Sequence, residues 1–220
     1  MRVAPSILVL TIILFAPAAI AQESPAEQAY DAIVTGIYSK LRRLLDEGLD
    51  ANSLTVDNQH LLATALERNA YGAAMMLLEN GANPDVWFRD SEDSISALAL
   101  SVQSGTDTWV LEQMLLFGAE PNYAEPFGWS ALLVAAKLGN LPAVRMLIEA
   151  GADPNLQTTE VVGLMTPLMY AARNGSPELI RYLIDAGADT STRNWQGQTA
   201  VDIASEYSDG RDAAFASTGE

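Results

Sequence analysis

No cysteine occurs anywhere in the 220 residues, and histidine occurs once. The first absence excludes disulfides and thiolate zinc sites, and the second removes Ser–His catalytic pairs and His-rich metal sites. Cations are scarce as well: 12 Lys plus Arg face 28 Asp plus Glu, a formal net charge of −16. Such a balance opposes nucleic acid and anionic membrane surfaces, whose binding needs basic patches. It would draw in a basic protein partner by speeding encounter, although acidity also keeps a chain soluble without any partner. The phosphate-cradling run Gly-x-x-x-x-Gly-Lys is missing. Paired acids such as Glu92-Asp93 are present, but a glycosidase pair needs a cleft that raises one pKa, and these lie among polar residues.

What the chain does have is a repeat. Gly-Ala returns at Gly81-Ala82, Gly118-Ala119, Gly151-Ala152 and Gly187-Ala188, with Gly48-Leu49 as a weaker copy, at intervals of 33, 37, 33 and 36 residues. A fixed period of this size implies units that bury one face against their neighbours, hence a stack with no central pocket. Six units follow: 27–53, 54–86, 87–123, 124–156, 157–192 and a half unit at 193–205, with a polar tail at 206–220. Units one and three match least well and are expected to open before four and five.

The fourth unit reads Ser130-Ala131-Leu132-Leu133-Val134-Ala135-Ala136, then Gly139, Leu147-Ile148 and Gly151-Ala152-Asp153. The fifth reads Thr166-Pro167-Leu168-Met169-Tyr170-Ala171-Ala172, then Gly175, Leu183-Ile184 and Gly187-Ala188-Asp189. Both resemble the ankyrin repeat, Thr-Pro-Leu-His-x-Ala-Ala through Leu-Leu-x-x-Gly-Ala-Asp, with Leu133 and Met169 in place of the family's His. Physical reasons accompany the letters. Thr166 suits a helix N-cap and Pro167 the first helical position, Ala171 and Ala172 let two helices approach closely, and Gly139 and Gly175 end a helix in left-handed backbone. The single histidine, His60, falls at the Thr position of unit two, where it reads as a structural substitute for Thr. The resemblance implies an all-α solenoid of about five to six helix-turn-helix repeats with projecting β-turn fingers, free of catalysis and cofactors.

Ahead of the repeats, Arg2, the apolar run Ile7 to Phe15 and the small residues up to Ala21 form a secretory signal pattern, with cleavage after Ala21. The alternative is an uncleaved anchor, but Pro17 interrupts a run shorter than the roughly 20 residues a bilayer requires. Cleavage removes one cation and brings the formal charge from −16 to −17. The lack of cysteine suits an oxidising compartment. A periplasmic or secreted, monomeric product is expected.

In the ankyrin family the partner lies in the concave groove, against the fingers and the ends of the first helices. Carried onto this chain, the finger set is Trp87, Phe88 and Arg89; Tyr123, Phe127 and Trp129; Val161, Val162, Leu164 and Met165; and Trp195. The helix set is Glu67 and Arg68, Gln103 and Ser104, Lys137 and Leu138, Arg173 and Asn174. Large aromatics on fingers either pack finger against finger or anchor a partner, and Val161 to Met165 could instead form a cluster within their own loop. Ten residues separate Asp50 from His60, Glu120 from Ser130 and Asp189 from Thr199, whereas thirteen separate Asn83 from Ser96 and Asp153 from Thr166. The two longer fingers are therefore functional candidates, since insertions in a stack map to one face. One more residue is inserted near Thr106-Asp107. Lys137 and Arg173 hold matching places in adjacent units and would meet a carboxylate, of a partner or of the next unit. Asn174-Gly175-Ser176 spells a glycosylation sequon that the fold itself explains as a turn. The implied function is non-catalytic binding of another protein as an adaptor or helper; the alternative is an immunity or inhibitor protein that neutralises a toxin enzyme in the periplasm.

Overall fold

The computed structural model describes residues 23–89, 94–103, 108–124 and 126–207. Helices α1 (Pro25–Thr35) and α2 (Tyr38–Asp46), α3 (Leu61–Glu67) and α4 (Tyr71–Glu79), α5 (Ala97–Gln103) and α6 (Trp109–Leu116) form three hairpins. Two more follow, α7 (Ala131–Leu138) with α8 (Leu141–Glu149) and α9 (Pro167–Asn174) with α10 (Pro177–Asp185), before the lone α11 (Ala200–Tyr207). An antiparallel ribbon, β1 (Trp87–Arg89) with β2 (Ser94–Ser96), precedes α5 and pairs Trp87 with Ser96 and Phe88 with Ile95.

The first helices of the hairpins pack in series, α1 on α3, α3 on α5, α5 on α7, α7 on α9 and α9 on α11. Of these, α3, α5, α7 and α9 are each flanked by a first helix on both sides and covered by their own second helix. An element enclosed in this way must be apolar on nearly every side. Leu61 to Leu66, Ala131 to Ala136 and Pro167 to Ala172 are accordingly buried without interruption. The second helices bury one stripe only: Ala143, Val144 and Leu147 in α8, and Leu179, Ile180 and Leu183 in α10.

The caps explain where the helices start and stop. Ser130 Oγ accepts from Leu133 N, and Thr166 Oγ1 accepts from Met169 N at 3.2 Å. Gly139 and Gly175 end α7 and α9 with φ of 69° and 64°. In unit two the same place is held by Asn69 at φ 55°, a residue that tolerates left-handed backbone better than most. At the far end Asp202 Oδ2 accepts from the Thr199 amide and hydroxyl, so α11 starts as firmly as a full unit would.

Unit one is more regular than its sequence. Ser24 caps α1 by accepting from Glu27 N at 3.2 Å, and Pro25 takes the first turn, so this hairpin begins ahead of residue 27. The Ser-Pro signal is masked in the sequence because α1 is longer than the other first helices. The last helix continues to Tyr207, beyond 205. The leader at 1–21, Glu92-Asp93, Ser104, the insertion near Thr106-Asp107 and the tail past 207 lie outside the described residues.

Candidate protein-binding face

The two long fingers use their extra residues differently. Residues 87–89 and 94–96 form the ribbon, in which Phe88 is half-buried against the core and lines a cleft of about 260 Å³ with Tyr30, Asp57, Gln59 and Thr64. Trp87 is also half-buried and Arg89 ends the strand. Residues 153–166 form a loop of turns wedged between its neighbours. Thr159 N donates to Phe127 O at 3.0 Å on one side, and Trp195 N donates to Gly163 O at 3.1 Å on the other. Met165 is buried at 9% exposure and its amide donates to Thr158 Oγ1, while Leu164 takes φ 54°. Met165 therefore belongs to the core, in line with the alternative of packing within the loop and against a partner contact at this residue. Val162 and Leu164 are half-buried, and Val161 projects at 84% exposure.

At the fingers and first-helix ends of units four to six, aromatic residues and cations interleave. Trp129 is half-buried, 5.6 Å from Tyr170 between ring centroids, and Lys137 Nζ stands 4.4 Å from its ring. Trp129 thus packs against the core while keeping part of its surface open. Arg173 lies over Tyr207 at 5.7 Å. Burial pushes the Tyr170 hydroxyl pKa up, with the Arg173 charge acting the other way. The expected alternative of an ion pair to the next unit is replaced, for Lys137, by a ring contact among the described residues. Phe127, Leu138 and Trp195 remain exposed, Trp195 most of all at 67%.

Asn174 is exposed, and its side chain has a structural task the sequence did not show. Its Nδ2 donates to Ala136 O at 3.0 Å and Lys137 O at 2.7 Å, tying the end of α7 to α9. This side chain is a staple between units, since it satisfies carbonyls that a helix end leaves open. Tyr123 sits at the base of its finger, where burial and the nearby Asp85 carboxylate raise its pKa. Arg68 pairs with Glu67 at 3.0 Å and Gln103 ends α5, exposed. His60 begins α3 but makes no side-chain capping bond, so it occupies the Thr position without doing Thr's job. Burial lowers its pKa from 6.5.

A ladder at the finger bases was not read from the sequence. Asn52 Nδ2 donates to Gly81 O and its Oδ1 accepts from Asn83 N. Asn122 does the same with Gly151 and Asp153, and Asn155 with Gly187 and Asp189. Each lies four residues after a Gly of the repeat, so the spacing was available. Asp85 takes this place in unit two and accepts from Glu120 N at 2.8 Å, but a carboxylate has no N–H to donate onward. Among the described residues no three His, Asp or Glu side chains gather as a metal-binding group.

Residues 132–184 match the family model for ankyrin repeats. Among curated proteins, the chain is 29% identical over 116 residues to ankyrin repeat protein nuc-2 of Neurospora crassa, covering 52% of this chain. It is 35% identical over 69 residues to the mitochondrial disaggregase of Bos taurus, covering 31% of this chain. In both cases the match spans 10% of the relative's length. A chain in the structure of a predatory endopeptidase from Bdellovibrio bacteriovorus in complex with an immunity protein superposes with a TM-score of 0.70 at 24% identity, covering 90% of this chain and 100% of that one. An ankyrin repeat domain from Acinetobacter baumannii superposes with a TM-score of 0.74 at 23% identity, covering 86% and 96%. The stacked hairpins therefore have the ankyrin-repeat fold, and the match over residues 132–184 supports the ankyrin-repeat family for this chain.

Proposed function

We propose that this chain is a non-catalytic module that binds another protein outside the cytoplasm, through the concave side and fingers of units four to six. The observation that carries the reading is the run of exposed apolar side chains there: Val161 at 84%, Trp195 at 67%, Leu138 at 54% and Phe127 at 37% exposure. Side chains of this size on loops and helix ends are the ones that anchor partners when a neighbouring surface desolvates them. Export rests on the leader pattern at residues 1–21, and a basic partner on the net charge of −16. Ankyrin folds share a scaffold while their ligands differ, so the side chains and not the fold must name the partner.

The test places a photo-crosslinking amino acid at Val161 or Trp195, and at Arg42 on the outer helix α2, in cells of the source organism. A protein adduct from the finger positions and none from Arg42 is the expected result; no finger adduct, or equal labelling at all three, overturns the reading. N-terminal sequencing of the mature product should begin at Gln22, and a full-length product in the cytosol removes the export part.

A second reading, an immunity or inhibitor protein, is favoured by one observation: a similar fold occurs in a complex of an endopeptidase with an immunity protein. Co-expression with the product of an adjacent toxin-like gene tests it. Restored growth is expected, and unchanged toxicity excludes that pairing.

A further inference from the structure

We propose that Lys137 and Arg173 form an anion-recognition pair that receives a carboxylate-bearing segment of the bound protein; this deepens the protein-binding reading above and rests on it. The two residues occupy the same place in consecutive units, each seven positions after the N-cap, at Ser130 and Thr166. The same place holds Asp31, Glu67, Gln103 and Glu206 in units one, two, three and six, so positive charge at this position is confined to units four and five. Glu206, at the end of that row, accepts from Gln198 Nε2 at 2.9 Å.

The cations are held in position by aromatic rings. Lys137 Nζ rests 4.4 Å from the Trp129 ring, which packs tilted at 32° against Tyr170, and the Arg173 guanidinium lies 5.7 Å from the Tyr207 ring. Lysine at the last turn of a helix ordinarily serves the terminal carbonyls. Here Asn174 Nδ2 serves Ala136 O and Lys137 O, and the ammonium is turned back over the indole. A side chain already confined in this way loses less freedom when an anion arrives. Both cations are exposed, and Leu138 beside Lys137 offers an apolar contact at 54% exposure. The chemistry that fits is a carboxylate next to an apolar side chain.

The net charge of −16 does not cancel this local preference. Acids at the outer-helix ends, such as Glu149 and Asp185, lie on the other layer of the stack. At physiological ionic strength screening acts over about 8 Å, so a docked carboxylate responds chiefly to the pair beside it. A partner can be basic overall and still present one acidic element to this pair.

The probes are short fluorescein-labelled peptides that differ only in an Asp-Leu-Asp, Asn-Leu-Asn or Lys-Leu-Lys centre, read by fluorescence anisotropy. The wild-type protein should bind the Asp peptide roughly fivefold more tightly than the Asn peptide, the size expected of two partly exposed charge contacts. Lys137→Gln/Arg173→Gln should abolish the preference, Arg145→Gln should leave it, and Lys137→Glu/Arg173→Glu should shift it to the Lys peptide. Equal binding of the Asp and Asn peptides by wild type overturns the proposal, and so does a preference that survives Lys137→Gln/Arg173→Gln. An RNA oligonucleotide bound as tightly through the same two residues would overturn it in favour of general anion attraction. If finger crosslinks form while the Asp preference is absent, this inference fails and the protein-binding reading stands. If the preference is present without crosslinks, the binding reading fails instead. The comparison of peptides on wild-type protein does not depend on any variant folding.

Discussion

Two fingers of this chain carry the same three-residue insertion and build different structures from it. Between Asn83 and Ser96 the longer finger carries a two-stranded ribbon, residues 87–89 with 94–96, whose order comes from its own strand pairing and from Phe88 on the core. Between Asp153 and Thr166 the insertion becomes a loop that buries Thr158 and Met165 and bonds through its backbone to the fingers on both sides. The ribbon is ordered locally. The loop is ordered by its neighbours, which makes the fingers of units four to six one continuous surface. That difference explains why the exposed apolar residues Phe127, Val161 and Trp195 can act together, while Trp87 and Phe88 are half-buried.

The sharpest way to break the comparison is Gly128→Ala. Gly128 has φ +84°, and a Cβ there would stand 3.1 Å from Gln157 O, Thr158 Cα and Thr159 N, all backbone atoms that cannot rotate away. A loss of about 2 to 3 kcal/mol is expected in urea denaturation, from strained backbone and a displaced loop. The ribbon should be unaffected in hydrogen exchange. Next comes Asn155→Ala, which removes two bonds between units, Nδ2 to Gly187 O and Asp189 N to Oδ1, and should cost about 1 to 2 kcal/mol. Asp85→Asn sharpens the contrast from the other side. It restores the missing donor beside the ribbon and should stabilise the protein by about 0.5 to 1 kcal/mol in the same assay.

Smaller effects follow. His60→Thr supplies a capping oxygen that the imidazole does not provide, for a gain of about 0.5 to 1 kcal/mol. The same variant should remove a pH dependence. Burial lowers the folded-state pKa of His60 below the usual 6.5, so the unfolded chain takes up its proton first. The associated stability is complete above pH 6.5 and is lost as the pH falls from there through the folded value. Thermal melts between pH 7 and 5 should show that slope in wild type and lack it in the variant. Smallest is Thr159→Val in the wedged loop. Among the described residues Thr159 Oγ1 is buried without a hydrogen-bond partner, so losing it should lie between no change and a gain of about 0.5 kcal/mol in Tm-derived stability.

Much of the fold could be read from the letters because their reasons are local. Thr166-Pro167, Gly139 and Gly175 act within one turn of helix, and each functions in place. Ser24-Pro25 went unread because α1 is longer than its counterparts, which breaks the expected spacing to Gly36. The ladder of Asn52, Asn122 and Asn155 shared a spacing that could have been recognised, but its partners lie in the next unit. The candidate face was less legible. Trp129 and Asn174 turned out to be engaged with residues one unit away, and Lys137 with the Trp129 ring of its own unit.

The sequence by itself determined the period, the helix caps and the enclosed apolar layer, since capping and burial patterns depend on residues a few positions apart. Only the tertiary structure decided which finger residues face outward, which cations rest on rings and how each insertion folds. Those outcomes depend on contacts between units that are distant along the chain, and a one-dimensional pattern carries no distance between them.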